Sequence, residues 1–221
     1  MRKVTAIIVA AGEGKRFGSA KQFAPFREKL ILDWAIEAFE LHARVDEIIL
    51  VLPDEKERQK YISRFEKVSA VVKGGRRRQD SVVHGFESVK AEETKIVLVH
   101  DGVRPLVSRE VISRVVEEAQ RSGAAIPAIP VDDTIKEIGQ GKVARTLDRK
   151  KLVRVQTPQG FSYEVLEKAL RQAQKEGYYG TDEAALVERS GYPVAVVEGD
   201  PRNIKVTTPA DLKIAEALFE K

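Results

Sequence analysis

Thr5–Val9 (TAIIV) passes directly into Ala10-Ala11-Gly12-Glu13-Gly14-Lys15-Arg16-Phe17-Gly18. A short run of apolar and β-branched residues closed by glycines reads as a strand ending in a loop. Its apolarity is continuous, which buries both faces of the strand, as in a parallel sheet covered by helices. Similar runs return at Glu47–Leu52 (EIILVL), Ser69–Val72 (SAVV), Lys95–Val99 (KIVLV), Ala124–Ile129 (AAIPAI) and Val194–Val197 (VAVV). Between them, Leu30–Leu41 sets Leu32, Ala35, Ile36 and Phe39 at helical spacing, and Asp54–Phe65, Ser81–Lys90 and Ser108–Arg121 follow the same period. Thr208-Pro209 is an N-cap with proline at the first helical position, opening a last helix over Ala210–Phe219. Strand and helix alternate, so the fold class is α/β: a three-layer, Rossmann-like arrangement with a mostly parallel sheet, in one domain over residues 1–221.

Val131–Val155 breaks the rhythm. Alternation on either side of Gly139-Gln140-Gly141 predicts a β-hairpin, which no helix slot of a wound sheet accommodates. We read it as a protruding arm. An exposed two-stranded ribbon is marginal alone, so a second subunit is expected to pack on it.

In open α/β sheets, ligands bind at the carboxyl ends of the strands. The first loop there carries Lys15, Arg16 and Lys21, three cations in seven residues, among glycines that let backbone N–H groups approach phosphate oxygens. Gly18 stands one place too late for a dinucleotide fingerprint, and Gly14-Lys15 lacks the Ser/Thr of a P-loop. Gly74-Gly75-Arg76-Arg77-Arg78 follows the third strand, with Ser81 expected at a helix start; one arginine is expected to turn inward and two to stay solvated. His100-Asp101-Gly102-Val103-Arg104-Pro105 follows the fourth. A carboxylate facing a phosphate loop is a natural Mg²⁺ ligand, while His100, His42 and His84 read as structural, the last two on helices. Thr181 reads best as a helix cap, and Lys205, inside the strand-like Asn203–Thr207, calls for an anionic partner. No general base stands out, and phosphoryl or nucleotidyl transfer proceeds by positioning and charge stabilisation.

Composition closes other routes. The chain has 221 residues and no cysteine, which excludes disulfides, thiolate metal sites and a Cys nucleophile. A net charge of +4 is too mild to argue for nucleic acid and suits an anionic small molecule. Arg2-Lys3 ahead of Val4–Ala11 has the outline of a leader, but Glu13, Lys15 and Arg16 follow at once, and no apolar run reaches the roughly 18 residues of a membrane span. The expectation is a cytoplasmic protein without membrane contact.

Ala10-Ala11-Gly12-x-Gly14-x-Arg16-Phe17-Gly18 resembles the signature loop of Rossmann-like nucleotidyltransferases. Lys21-Gln22-Phe23, Gly74-Gly75-x-x-Arg78-x-x-Ser81-Val82, His100-Asp101-Gly102-x-Arg104-Pro105, Asp133-Thr134, Thr157-Pro158-Gln159, Thr181-Asp182-Glu183-Ala184 and Asn203-Ile204-Lys205-Val206-Thr207 narrow the resemblance to the 2-C-methyl-D-erythritol 4-phosphate cytidylyltransferase family. The resemblance implies a Mg²⁺-dependent transfer of a cytidylyl group from CTP to a polyol phosphate; ribitol 5-phosphate is the rival acceptor. It further implies that Ala10, Ala11, Gly12, Gly14, Gly75, Ser81, Asp101 and Gly102 bind the nucleotide, with Asp101 as metal ligand. Arg16, Lys21 and Lys205 would be catalytic, and Arg104, Thr181 and Lys205 would hold the acceptor. Thr134 and Arg149 would reach the partner's site in a homodimer. Some relatives carry an acid where this chain has Arg76. A nucleotide-sensing module without catalysis is the alternative from another class.

Overall fold

The computed structural model describes residues 3–14, 17–18, 20–54, 56 and 58–219. After β1 (Lys3–Val9) comes a small ribbon, β2 (Pro25–Phe26) and β3 (Lys29–Leu30), then α1 (Ile31–Glu40), β4 (Glu47–Leu52), α2 (Arg58–Arg64), β5 (Val68–Lys73), α3 (Arg78–Phe86) and β6 (Thr94–Asp101). The second half runs α4 (Arg109–Ser122), β7 (Ala124–Pro130), β8 (Lys136–Gly139), β9 (Lys142–Thr146), β10 (Val153–Val155), β11 (Gln159–Ser162), α5 (Tyr163–Glu176), α6 (Glu183–Arg189), β12 (Ala195–Glu198) and α7 (Pro209–Leu218).

β1 pairs in parallel with both β4 and β6, and β4 with β5, inside an eight-stranded sheet. Both faces of β1, β4 and β6 are buried. Ala6 and Ile8 share one core with Ile48, Leu50, Ile96 and Leu98, on which α1 and α4 pack through Leu32, Ile36, Val111 and Val115. Ile7 faces the opposite core with Ile49, Val51, Val97 and Val99, covered by Val82 of α3 and by Leu166 and Leu170 of α5. Alternate residues of one strand thus feed two cores, each buried aliphatic side chain contributing about 1.5–3 kcal/mol. The caps follow the expected chemistry: Ser108 accepts the Val111 N–H at α4, and Thr208 accepts the Asp211 N–H at α7 ahead of Pro209.

Several expectations are corrected. β11 inserts antiparallel between β6 and β7, where no strand was expected, and β10 pairs with β7, so the arm stops short of Val153. Residues 203–207 form no strand; the Val206 N–H reaches the Val103 carbonyl at 2.9 Å and the rest is irregular. α2 starts at Arg58 rather than Asp54, and α3 starts at Arg78, which puts Ser81 within the helix. His42 lies beyond α1, whereas His84 is on α3.

The arm is β8 and β9. Gln140 and Gly141 both take positive φ (50° and 75°), the two-residue turn whose twist suits a hairpin. Ile138 and Val143 stand opposite each other near its tip, 73% and 61% exposed.

Candidate active site

At the carboxyl ends of β1, β5 and β6 lies a cleft of about 520 Å³, within the range of small-molecule sites. The first loop forms one wall through Ala10, Ala11, Gly12 and Gly14, with Lys21 beside it. Gln22 is buried and its Nε2 donates to the Gly12 carbonyl at 3.2 Å, bracing that wall from behind. Gly75 and Ser81 form the facing wall. The two loops touch: a Cβ at Gly74 would collide with the Ala11 Cβ, so only glycine lets them meet. The Gly75 N–H donates to Ser81 Oγ at 3.1 Å, and Ser81 Oγ donates to the Arg77 carbonyl, tying this loop to the first turn of α3.

Asp101 ends β6 and lines the cleft. Its Oδ1 receives Arg78 Nε at 2.9 Å, and its Oδ2 lies 2.9 Å from Lys205 Nζ and 3.6 Å from Arg104 Nε. Burial opposes ionisation of Asp101, but attraction from Arg78, Lys205 and Arg104 outweighs it and holds the carboxyl far below the usual range. Arg78 also donates through Nη1 to both oxygens of Glu183, at 2.7 and 2.9 Å. Burial would lower the Arg78 pKa, yet Glu183 and Asp101 raise it, so the guanidinium stays charged. Arg76 and Arg77 are exposed, so one arginine of three turns inward.

Further hydrogen bonds fix this cluster. Thr157 Oγ1 accepts the Asp101 N–H at 3.1 Å and meets His100 Nδ1 at 3.0 Å, while His100 Nε2 faces the Arg104 carbonyl. Burial pushes His100 down to about 3, leaving it neutral and structural. Asn203, fully buried, donates to the Thr157 carbonyl and accepts Arg104 Nη1 on its own carbonyl at 2.7 Å. Gln159 grips the start of α6 twice, donating to Asp182 Oδ2 at 2.8 Å and accepting the Ala184 N–H. Asp182, not Thr181, caps α6, accepting the Ala185 N–H.

The structure brings Ala10, Ala11, Gly12, Gly14, Lys21, Gly75, Ser81, Asp101 and Lys205 to one cleft, with Arg104 joined to it through Asp101. Arg16 lies outside the described residues. Gly102 sits beneath the cleft rather than on its wall, its bare Cα making room for Ala10 and Leu32. Thr181 is exposed two residues ahead of Glu183, and Thr134 and Arg149 are exposed at the base of the arm, none of them on the cleft wall. Arg149 instead donates to the Asp132 carbonyl of its own chain. Glu183, Gln159 and Gln22 stand in the motifs quoted above without a role of their own; each is a polar residue buried to 1% or less, and its partners give it one.

The donor set bears on metal binding. Among the described residues no three His, Asp or Glu side chains gather to hold an ion. Asp101 is the buried carboxylate at the cleft, and Glu13 of the first loop lines it as well. That fits a Mg²⁺ ion completed by phosphate oxygens and water, and does not fit an ion held by protein alone.

A profile of the 2-C-methyl-D-erythritol 4-phosphate cytidylyltransferases matches residues 4–221. The enzyme of that name from Syntrophus aciditrophicus is 43% identical over 99% of this chain and 97% of its own length. The one from Geobacillus kaustophilus is 45% identical over 97% and 96%. The crystal structure of the Thermus thermophilus enzyme superposes with a TM-score of 0.82 at 39% identity, covering 98% of both chains. With the glycine loop, the Asp101 cluster and the inserted strand all in one frame, this chain belongs to the 2-C-methyl-D-erythritol 4-phosphate cytidylyltransferase family.

Proposed function

We propose that this chain transfers the cytidylyl group of CTP to 2-C-methyl-D-erythritol 4-phosphate in isoprenoid biosynthesis. A phosphate oxygen of the acceptor attacks the α-phosphorus; the bond to the β-phosphate oxygen breaks and pyrophosphate leaves. The acceptor's phosphate is largely deprotonated near neutral pH, with a second pKa of about 6, so no base need take a proton. The observation that carries the reading is a glycine-walled cleft of nucleotide size whose floor is an ionised aspartate ringed by three cations.

In this reading Ala10, Ala11, Gly12 and Gly14 line the nucleotide, and Gly75 and Ser81 face the cytosine. Lys21, with Arg16, steadies the charge that grows on the α-phosphate; such fixed donors act best where water is excluded. Arg104 and Lys205 hold the acceptor's phosphate together with Thr181. Asp101 would share a Mg²⁺ ion with the triphosphate; bound there, the ion would neutralise phosphate charge. The working unit is a cytoplasmic homodimer in which the arm carries Thr134 and Arg149 to the partner's cleft. Exposed Ile138 and Val143 support this, since a soluble ribbon gains nothing from bare aliphatics at its tip. Among the described residues no helix is long and apolar enough to cross a membrane.

The test is pyrophosphate release with CTP and Mg²⁺, offering 2-C-methyl-D-erythritol 4-phosphate and ribitol 5-phosphate separately. Release with the first acceptor alone is expected. Release with ribitol 5-phosphate alone would move the protein to another pathway, and silence with both would overturn the transferase reading.

A further inference from the structure

Three cations surround Asp101, but they are not held alike. Lys205 is 37% exposed at its side chain and meets Oδ2 as a single point charge. Arg104 approaches the same oxygen at 3.6 Å, and its Nε, though buried, makes no hydrogen bond. Arg78 takes the other oxygen, Oδ1, and its guanidinium is pinned from behind by both oxygens of Glu183. Glu183 is 1% exposed at its side chain and sits on the first turn of α6, whose start is clamped by Gln159. One end of the Asp101 carboxylate is therefore fixed to the scaffold, and the other faces Lys205, a half-exposed partner that can leave.

We propose that Glu183 is a positioning residue for cytidylyl transfer. It fixes Arg78, and Arg78 fixes Asp101 Oδ1, so that only Oδ2 changes partner when the substrates enter. The proposal rests on the cytidylyltransferase reading. The acceptor's phosphate, arriving beside the nucleotide, competes for Lys205 and draws it from Oδ2. Arg78 has two partners already in place, and leaving Asp101 for phosphate would break the planar, multi-donor geometry that suits a guanidinium between carboxylates. Asp101 thus keeps its orientation through the exchange. The charge arithmetic agrees. Arg78, Arg104 and Lys205 against Asp101 and Glu183 give 3 − 2 = +1, and without Glu183 the cluster would stand at +2 with Arg78 held by Asp101 alone.

A double-mutant cycle decides it. Glu183→Gln keeps the size and hydrogen-bonding reach of the side chain and removes its charge. In the otherwise wild-type enzyme it is expected to lower kcat/KM for CTP by about 10–100-fold, the usual scale when a residue that orients a ligating group is lost. In an Asp101→Asn background the same change is expected to cost less than about 3-fold, because there is no carboxylate left to orient. An equal loss in both backgrounds would mean that Glu183 acts merely on folding, and unchanged kinetics in the single variant would mean that it does nothing for the reaction; either overturns the proposal. Arg78→Lys serves as the second variant if Glu183→Gln does not fold, since one ammonium cannot span both carboxylates, and it carries the same two expectations. Reading the cycle also in Kd for CTP separates the failures. Wild-type protein that binds CTP without transferring it overturns the transferase reading, and the Kd cycle then decides whether Glu183 orients Asp101.

Discussion

Lys21 and His100 carry opposite kinds of information about the same site. Lys21 lines the cleft, and its expected contribution appears only as charge develops on the α-phosphate. Lys21→Ala should lower kcat by about 10²–10³-fold while the KM for CTP moves little; steady-state kinetics checks this, and a raised KM with kcat unchanged would reassign Lys21 to nucleotide binding. His100 is fully buried and does not line the cleft. Burial pushes its pKa in the folded protein from 6.5 down to about 3, so the native state refuses a proton that the unfolded chain accepts. Stability from this group is complete above pH 6.5 and drains away as pH falls toward 3. The whole effect is a few kcal/mol, each tenfold drop in proton affinity being worth about 1.4 kcal/mol. Thermal melts between pH 7 and 5 should fall more steeply for wild type than for His100→Gln; parallel curves would show that His100 accepts its proton without unfolding.

Elements, not single residues, decide how the molecule is put together. The arm leaves Ile138 and Val143 bare and opposed, so Ile138→Lys is expected to convert the proposed dimer to monomers in sedimentation while leaving the far-ultraviolet spectrum unchanged. A variant that sediments like wild type would place the contact elsewhere. The parallel half of the sheet was legible because β1, β4 and β6 bury both faces and therefore carry unbroken apolar runs. The arm was legible because its turn needs positive φ twice, and the sequence supplies a glycine there. β11 was not. Its Gln159-Gly160-Phe161-Ser162 has neither an apolar run nor alternation, and it is a strand because Val97, Leu98 and Val99 on β6 offer it an edge. A Cβ on Gly160 would stand 2.7 Å from Val115 under α4, so close packing, not propensity, chose that residue. The strand expected at 203–207 failed for the converse reason. Asn203 and Val206 spend their backbone groups on Arg104 and Val103 individually, and no ladder forms. Of the site, the glycine walls and Asp101 were legible from their place after strands, whereas Glu183 stood in a quoted motif without a role until α6 placed it against Arg78.

At the scale of the whole molecule, the proposed dimer makes each active site a joint property of two chains. Lys21 belongs to the cleft of one subunit, and Arg149, exposed at the root of the arm, is assigned to the cleft of the other. Mixing Arg149→Ala subunits with Lys21→Ala subunits should therefore restore activity to half the sites of each heterodimer, since one cleft then receives both intact residues and the other receives neither. Activity that stays at the level of the parents after subunit exchange would show that the arm serves its own chain. The Lys205–Asp101 contact has a further bearing on such a machine. An idle cleft that supplies its own counter-ion does not have to recruit one from the surrounding solution. Much of the work of taking its buried charges out of water is then done once, when the chain folds, and an incoming substrate phosphate exchanges with a tethered side chain rather than evicting a solvent anion at every turnover.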